Sequence, residues 1–190
     1  MRSTIAILRN ELDASWIRET LAAVLVAAIA ARFSFPNTDG NAIWLATLFG
    51  GLVGLHVRRS RAPRVAYLAA PIYGRELARA LALPAILAAL IAAWVLCAIA
   101  AVRGVELNAA FVALPSAAAV VAALTAQAAM LRSGQARLLY LALGYTAVGA
   151  IAAAAGLLPA PIALLLACGL GYAALRSLAE TLARYDAIGS

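Results

Sequence analysis

The chain contains no lysine at all. It has one histidine, two cysteines and eight acidic residues in 190 positions. Each shortage excludes a class of chemistry. A Walker A phosphate loop needs its lysine on the nucleotide phosphates, so this chain supplies no standard ATP site. No HExxH, no GxSxG and no paired carboxylates are present, so the acid–base and metal groups that catalysis requires are missing. The acidic residues fall in loops, tails or helix ends. With no carboxylate in the middle of an apolar segment, the usual pointer to a proton or ion pathway is lacking, although backbone carbonyls can still hold sodium. Cys97 and Cys168 lie in apolar segments without partners at metal-ligand spacing, and read as small hydrophobes. His56, beside Arg58, reads as an interfacial group that bonds backbone or headgroups.

What is present is apolar. Hydrophobic residues make up 66% of the chain and its mean hydropathy is +0.96, against about 45–50% apolar residues in an ordinary soluble domain. So large an excess cannot be hidden in a core of this size. The composition therefore predicts an all-α polytopic membrane protein with a single transmembrane domain over 1–190. The net charge of +7 comes entirely from arginine. These arginines stand beside apolar segments, where positive charge sets topology. No basic face on a soluble module is visible, so nucleic acid is excluded as a partner and membrane lipid is expected.

A bilayer core of about 30 Å needs roughly 17–25 apolar residues per helix. Six segments approach this: 17–33, 41–57, 81–102, 109–131, 138–158 and 161–175. The last two are joined by Pro159–Ala160–Pro161, which predicts a tight helical hairpin. Arginines crowd the amino terminus, the 58–79 loop (six of fifteen), the 132–137 loop and the tail from 176 to 190. The intervening loops are nearly neutral. This alternation predicts both termini in the cytoplasm. Residues 1–16 carry Ile5, Leu8, Leu12 and Trp16 on one stripe. That pattern suits an amphipathic elbow helix lying in the interface, or a cytosolic extension of the first span.

Polar groups within the spans are few. Ser116, Thr125 and Gln127 lie on the fourth, Tyr140 and Tyr145 on the fifth, and Tyr172 on the sixth. They can line a translocation path, or bond locally and across helices. Gly50 and Gly54 form a GxxxG on the second segment, a spacing that lets helix backbones approach. Pro84 reads as near the start of the third span, where it is tolerated, and Pro115 as one or two turns into the fourth, where it can kink the helix.

The stretch "YLAAPIYGRELARALALPAILAALIAAWVL" resembles the segment after the second membrane helix in ABC transporter permeases of the type-2 export class. "IAILRNELDASWIRETL" (5–21) is similar to their opening elbow helix. The resemblance implies a permease subunit with no cofactor of its own. ATP and Mg would be bound by a partner ABC ATPase, and a second permease subunit, identical or different, would complete the pore. It implies a plasma or inner membrane location, and export of a hydrophobic or amphipathic substrate. The short helix that docks on the ATPase falls in the 58–79 loop, with Leu68, Pro71, Ile72, Arg75 and Glu76 matching the family pattern. Arg61, Pro63, Arg64 and Tyr67 complete the candidate coupling surface, Tyr and Arg being common interface anchors; the same arginines can instead serve only topology and headgroups. The chain departs from the family before the Pro-Ile pair, where an acidic residue and a Gly-Thr are usual, and between its last two spans, where only "LLPAPI" stands. The haem-exporter membrane subunit of cytochrome c assembly shares the broad layout. An ATP-independent transporter or channel, and a non-transporting membrane scaffold or assembly subunit, are the other readings.

Overall fold

A computed structural model describes residues 12, 14–34, 74–102, 104, 109–132 and 134–188. Five helices account for nearly all of them: α1 (Ala14–Ser34), α2 (Gly74–Val102), α3 (Ala109–Met130), α4 (Gly134–Leu157) and α5 (Ala160–Ile188). Among the described residues there is no strand. Four stretches are long and apolar enough to cross a membrane: Ala80–Val102, Ala109–Met130, Gly134–Leu157 and Ala160–Leu182. They are the third to sixth segments expected from the sequence, and they mark a helical membrane protein. The expected second segment, 41–57, lies outside the described residues, as do positions 1–11 of the elbow. Over the expected first segment α1 is a helix, but Arg18, Glu19 and Arg32 confine its uncharged run to 20–31. Alone, that uncharged run is shorter than a hydrocarbon core requires, so a span here has to include its charged ends.

Two helices outrun their expected bounds. α2 starts at Gly74, ahead of its apolar stretch. Pro84 is therefore inside the helix and not near its start, which corrects the sequence expectation. The charged residues 75, 76 and 79 did not end the helix, because Arg and Glu are good helix formers. α5 continues through the expected tail to Ile188. Its apolar stripe continues too: Ala174, Leu178 and Leu182 are buried at spacings of four.

The centre of the bundle is α3, which packs against α2, α4 and α5, while α1 rests on α2. Thirteen α3 residues are buried, against four on α4, so α3 is the most enclosed of the four spanning helices. On one side Ala119 and Ala123 meet Ala85, Ala89, Ala92, Ala93, Leu96 and Ala100 of α2. On another, Leu114, Ala118, Val121 and Ala122 meet Val148, Ile151 and Ala154 of α4 and Ala163 and Ala167 of α5. At one end Leu124, Ala128 and Leu131 close over Leu81 and Leu178. Alanine dominates because lipid tails are as apolar as leucine. Helices then associate through close contact, which small side chains allow. The outward residues are large: Trp94, Leu165 and Tyr172 are 58%, 72% and 69% exposed, as a lipid-facing surface would be.

The turns follow local chemistry. Gly134 opens α4 with φ +58°, a left-handed conformation that glycine adopts without penalty. The α4–α5 hairpin is as tight as expected. The Pro159 carbonyl accepts the amides of Ile162 and Ala163 at 2.9 and 3.2 Å, and Pro161 sits in the first turn of α5, where no amide is missed.

Gly144 is the closest α4–α3 approach at a glycine. A Cβ there would lie 2.5 Å from Thr125 Oγ1 and 3.0 Å from Thr125 Cβ, whereas one at Gly156 would meet nothing within 4 Å. Gly144→Ala is expected to destabilise the bundle by about 1–3 kcal/mol, the usual cost of overpacking. Gly156→Ala should be neutral or stabilising by about 0.5–1 kcal/mol through helix propensity. Thermal unfolding of the two variants in one detergent measures the difference.

Candidate functional site

A helix buried in lipid must satisfy its backbone groups internally. Proline breaks that rule twice here, in α2 and in α3. Pro115 has no amide hydrogen, so the Phe111 carbonyl four residues earlier loses its usual donor. The Cys97 thiol, reaching across from α2, donates to that carbonyl at 3.9 Å. Next to it, Ser116 Oγ donates to the Val112 carbonyl at 2.7 Å. Pro84 strips the Ala80 carbonyl in the same way. The neighbouring carbonyls receive donors from other helices: Gln127 Nε2 of α3 donates to Leu81 O at 3.3 Å, and Trp16 Nε1 of α1 to Pro84 O at 3.1 Å. Thus a donor from α2 reaches the carbonyl stripped in α3, and a donor from α3 reaches the carbonyl next to the one stripped in α2.

The second polar assembly is at the α3–α4 turn. Arg132 follows the end of α3 and is partly buried. Its Nη2 donates to Thr181 Oγ1 of α5 at 2.7 Å, and its guanidinium lies 3.3 Å from the centroid of the Tyr140 ring on α4. Thr181 in turn donates to the Ser177 carbonyl at 2.7 Å. Arg137 Nε donates to the Arg132 carbonyl at 3.1 Å. One arginine therefore ties three helices together. It also places positive charge at the carbonyl end of α3, where the helix dipole favours it.

The residues singled out as a possible path are distributed as follows. Ser116 and Gln127 are buried, and each is committed to a carbonyl. Thr125 Oγ1 bonds back to Val121 O and Ala122 O at 2.8 and 3.1 Å. Tyr140 is the platform for Arg132. Tyr145 and Tyr172 are exposed on the outer surface. Gln127 Oε1 is buried without a hydrogen-bond partner, as are Thr20 Oγ1 and Ser177 Oγ. On the coupling surface, Arg61, Pro63, Arg64, Tyr67, Leu68, Pro71 and Ile72 lie outside the described residues, as do His56, Gly50 and Gly54. Arg75 and Glu76 fall in the first turn of α2.

Sequence reasoning did not find Arg132, Thr181, Cys97 or Trp16 as structural partners. The proline positions carry one usable signal. Counting back four residues gives Ala80 and Phe111 as the carbonyls in need. It does not say which helix supplies the donor.

No protein-family model matches the chain, and neither a curated protein nor a solved structure matches it.

The Arg132 assembly is open to a double-mutant cycle. Thr181→Val should cost about 1.5–3 kcal/mol, the range for a bond to a charged donor. Tyr140→Leu should cost about 0.5–2 kcal/mol of cation–π attraction. Both effects should shrink in an Arg132→Gln background, to what the Thr181 bond to the Ser177 carbonyl and the packing of Tyr140 contribute. Arg132→Lys should not restore them, because lysine lacks the planar fork. Unfolding in detergent provides the measurement; costs undiminished in the Arg132→Gln chain would refute the coupling.

Proposed function

We propose that this chain is the transmembrane permease subunit of an ATP-binding cassette exporter of the type-2 class. It moves a hydrophobic or amphipathic substrate and is driven by a separate ATPase subunit. In this reading the ATPase holds ATP and Mg and docks on the 58–79 loop. A second permease subunit completes the translocation path. Both termini face the cytoplasm of a cell or inner membrane, with the elbow at 1–16 in the interface and two further spans over 17–33 and 41–57.

The observation that supports it best is the continuity of α2. The helix begins at Gly74, within the charged loop, and runs on to Val102. The end of the arginine-rich segment and the first turns of a membrane span, as far as Pro84, are thus one helical arm. The whole helix packs on α1, α3 and α5. A force applied by a partner to 58–79 would pass directly into the bundle. The absence of lysine supports the division of labour, since the nucleotide must be bound elsewhere.

A second reading, a non-transporting scaffold or assembly subunit, is favoured by a different observation. The inward polar groups Ser116, Thr125 and Gln127 are spent on backbone carbonyls, which is what holding a bundle together requires.

Affinity capture of the full chain from native membranes distinguishes the two. The permease reading expects a copurifying ATPase and nucleotide-dependent flux in proteoliposomes. Tyr67→Ala and Arg64→Ala should weaken docking about thirtyfold, the effect of losing about 2 kcal/mol at an interface anchor, and lower transport while leaving the bundle folded. Full transport in both variants would refute docking on this loop. Absence of an ATPase and of flux would favour the scaffold, and flux from the purified chain without nucleotide would favour an ATP-independent transporter.

A further inference from the structure

We propose that Pro84 is a hinge in α2, and that Trp16 and Gln127 form the latch that holds it in the position seen here. The hinge follows from covalent chemistry. Pro84 has no amide hydrogen, so the ladder of α2 lacks the bond that would join residue 84 to the Ala80 carbonyl. The arm ahead of it, Gly74 to Leu83, is held to the rest of α2 less tightly than any other turn of that helix.

The latch follows from where the long-range side-chain bonds fall. Two donors from other helices land within one turn of Pro84. Gln127 Nε2 takes Leu81 O on the arm side, and Trp16 Nε1 takes the carbonyl of Pro84 itself. They come from α3 and α1, separated from their acceptors by 46 and 68 positions. Neither bond is needed to complete an intact helical ladder, where these carbonyls would be served by amides four residues on. They are useful where the ladder is weakened.

Two features make the latch releasable. Gln127 is 3% exposed, yet its Oε1 has no partner. Only half of the buried amide is satisfied, so the latched state carries a desolvation cost that favours a second arrangement. The side chains beside the hinge are also small: Ala80, Ala82, Ala85, Ala88 and Ala89 are all essentially fully buried. Alanine faces interlock less deeply than branched side chains, so Leu81, packed against Leu124, Leu131 and Leu178, is the large buried group that a shift of the arm must move.

The hinge stands whether or not the chain is a permease. If it is, the arm is the part of the span that a partner on 58–79 would move first, and this role rests on that reading. The test needs neither an ATPase nor a cargo. Spin labels are placed at Arg75→Cys and Gln135→Cys in a Cys97→Ser/Cys168→Ala full-length chain in lipid nanodiscs, and pulsed-dipolar spectroscopy reads the distance distribution. Two populations are expected. Gln127→Leu should raise the ratio of displaced to latched arm by up to about fivefold, the weight of one hydrogen bond of about 1 kcal/mol less the cost relieved by removing the unpartnered Oε1. Trp16→Phe should move it in the same direction. Pro84→Ala restores the missing amide and should collapse the distribution to one narrow population. Thermal unfolding of each variant confirms that the bundle is intact, and Trp16→Phe serves should Gln127→Leu fail to fold. A distribution unchanged across all three variants, or broadened by Pro84→Ala, would overturn the hinge.

Discussion

A polar backbone group in lipid has no water to turn to, and this bundle is organised around that constraint. An uninterrupted helix meets it alone. A helix with an internal proline does not, and α2 and α3 each have one. The answer is mutual. Cys97 of α2 covers the carbonyl stripped by Pro115, and Gln127 of α3 covers a carbonyl beside the turn opened by Pro84. A thiol is a weak donor and 3.9 Å is a long contact, so the first is the weaker of the two. These bonds do more than patch a defect. In a membrane no hydrophobic force distinguishes a neighbouring helix from a lipid tail. Directional bonds between helices therefore help to choose which faces meet and at what height.

Close packing does the rest, and α3 is where it happens. The same helix contributes to all three buried clusters. Its partners on α2 are almost all alanine, and with α4 the closest approach at a glycine is Gly144 against Thr125. Small residues bring backbones together but hold no unique register, because alanine faces slide on one another. The register must come from the few groups with shape or direction: Leu96 and Ile151 in the middle, Gln127 near one end, and Arg132 beyond it with Thr181 and Tyr140. Arg132 is well suited to this role. It sits where a guanidinium can keep some hydration, yet it bonds α5 and stacks on α4 at once.

The helical membrane class was readable from composition, and four of the six segments were readable from hydropathy, because both depend on sums over many residues. The α4–α5 hairpin was readable because Pro159 and Pro161 act locally. Helix ends were less so. Charge at 75, 76 and 79 looked like a loop, but Arg and Glu favour helix and α2 extended through them, which moved Pro84 from a harmless first turn to the interior. The tail from 176 likewise read as lying beyond the last span, but the helix runs on and Leu178 and Leu182 continue the buried stripe of Ala174. The polar contacts were the least readable. Nothing local in Cys97, Trp16 or Thr181 says which carbonyl or guanidinium will come within reach.

Counting donors also changes how intramembrane polar residues should be weighed. Ser116, Thr125 and Gln127 attract attention as path-lining candidates because hydroxyls and amides in an apolar helix seem to want an aqueous partner. Pro115 alters the account for one of them: the residue after it is Ser116, and its hydroxyl goes to the Val112 carbonyl in the turn the proline has opened. Gln127 stands in the same relation to Pro84 across the helix interface. Thr125, with no proline near it, bonds back to its own helix and lies where α4 brings Gly144 close. In each case a carbonyl beside a proline turn, or a crowded backbone, accounts for the residue type without water in the bundle. A path through a single copy would have to draw on groups already committed to packing. A path at the boundary with a second subunit would not, because it could use the outward residues of α4 and α5, where Tyr145 and Tyr172 keep their hydroxyl-bearing rings exposed.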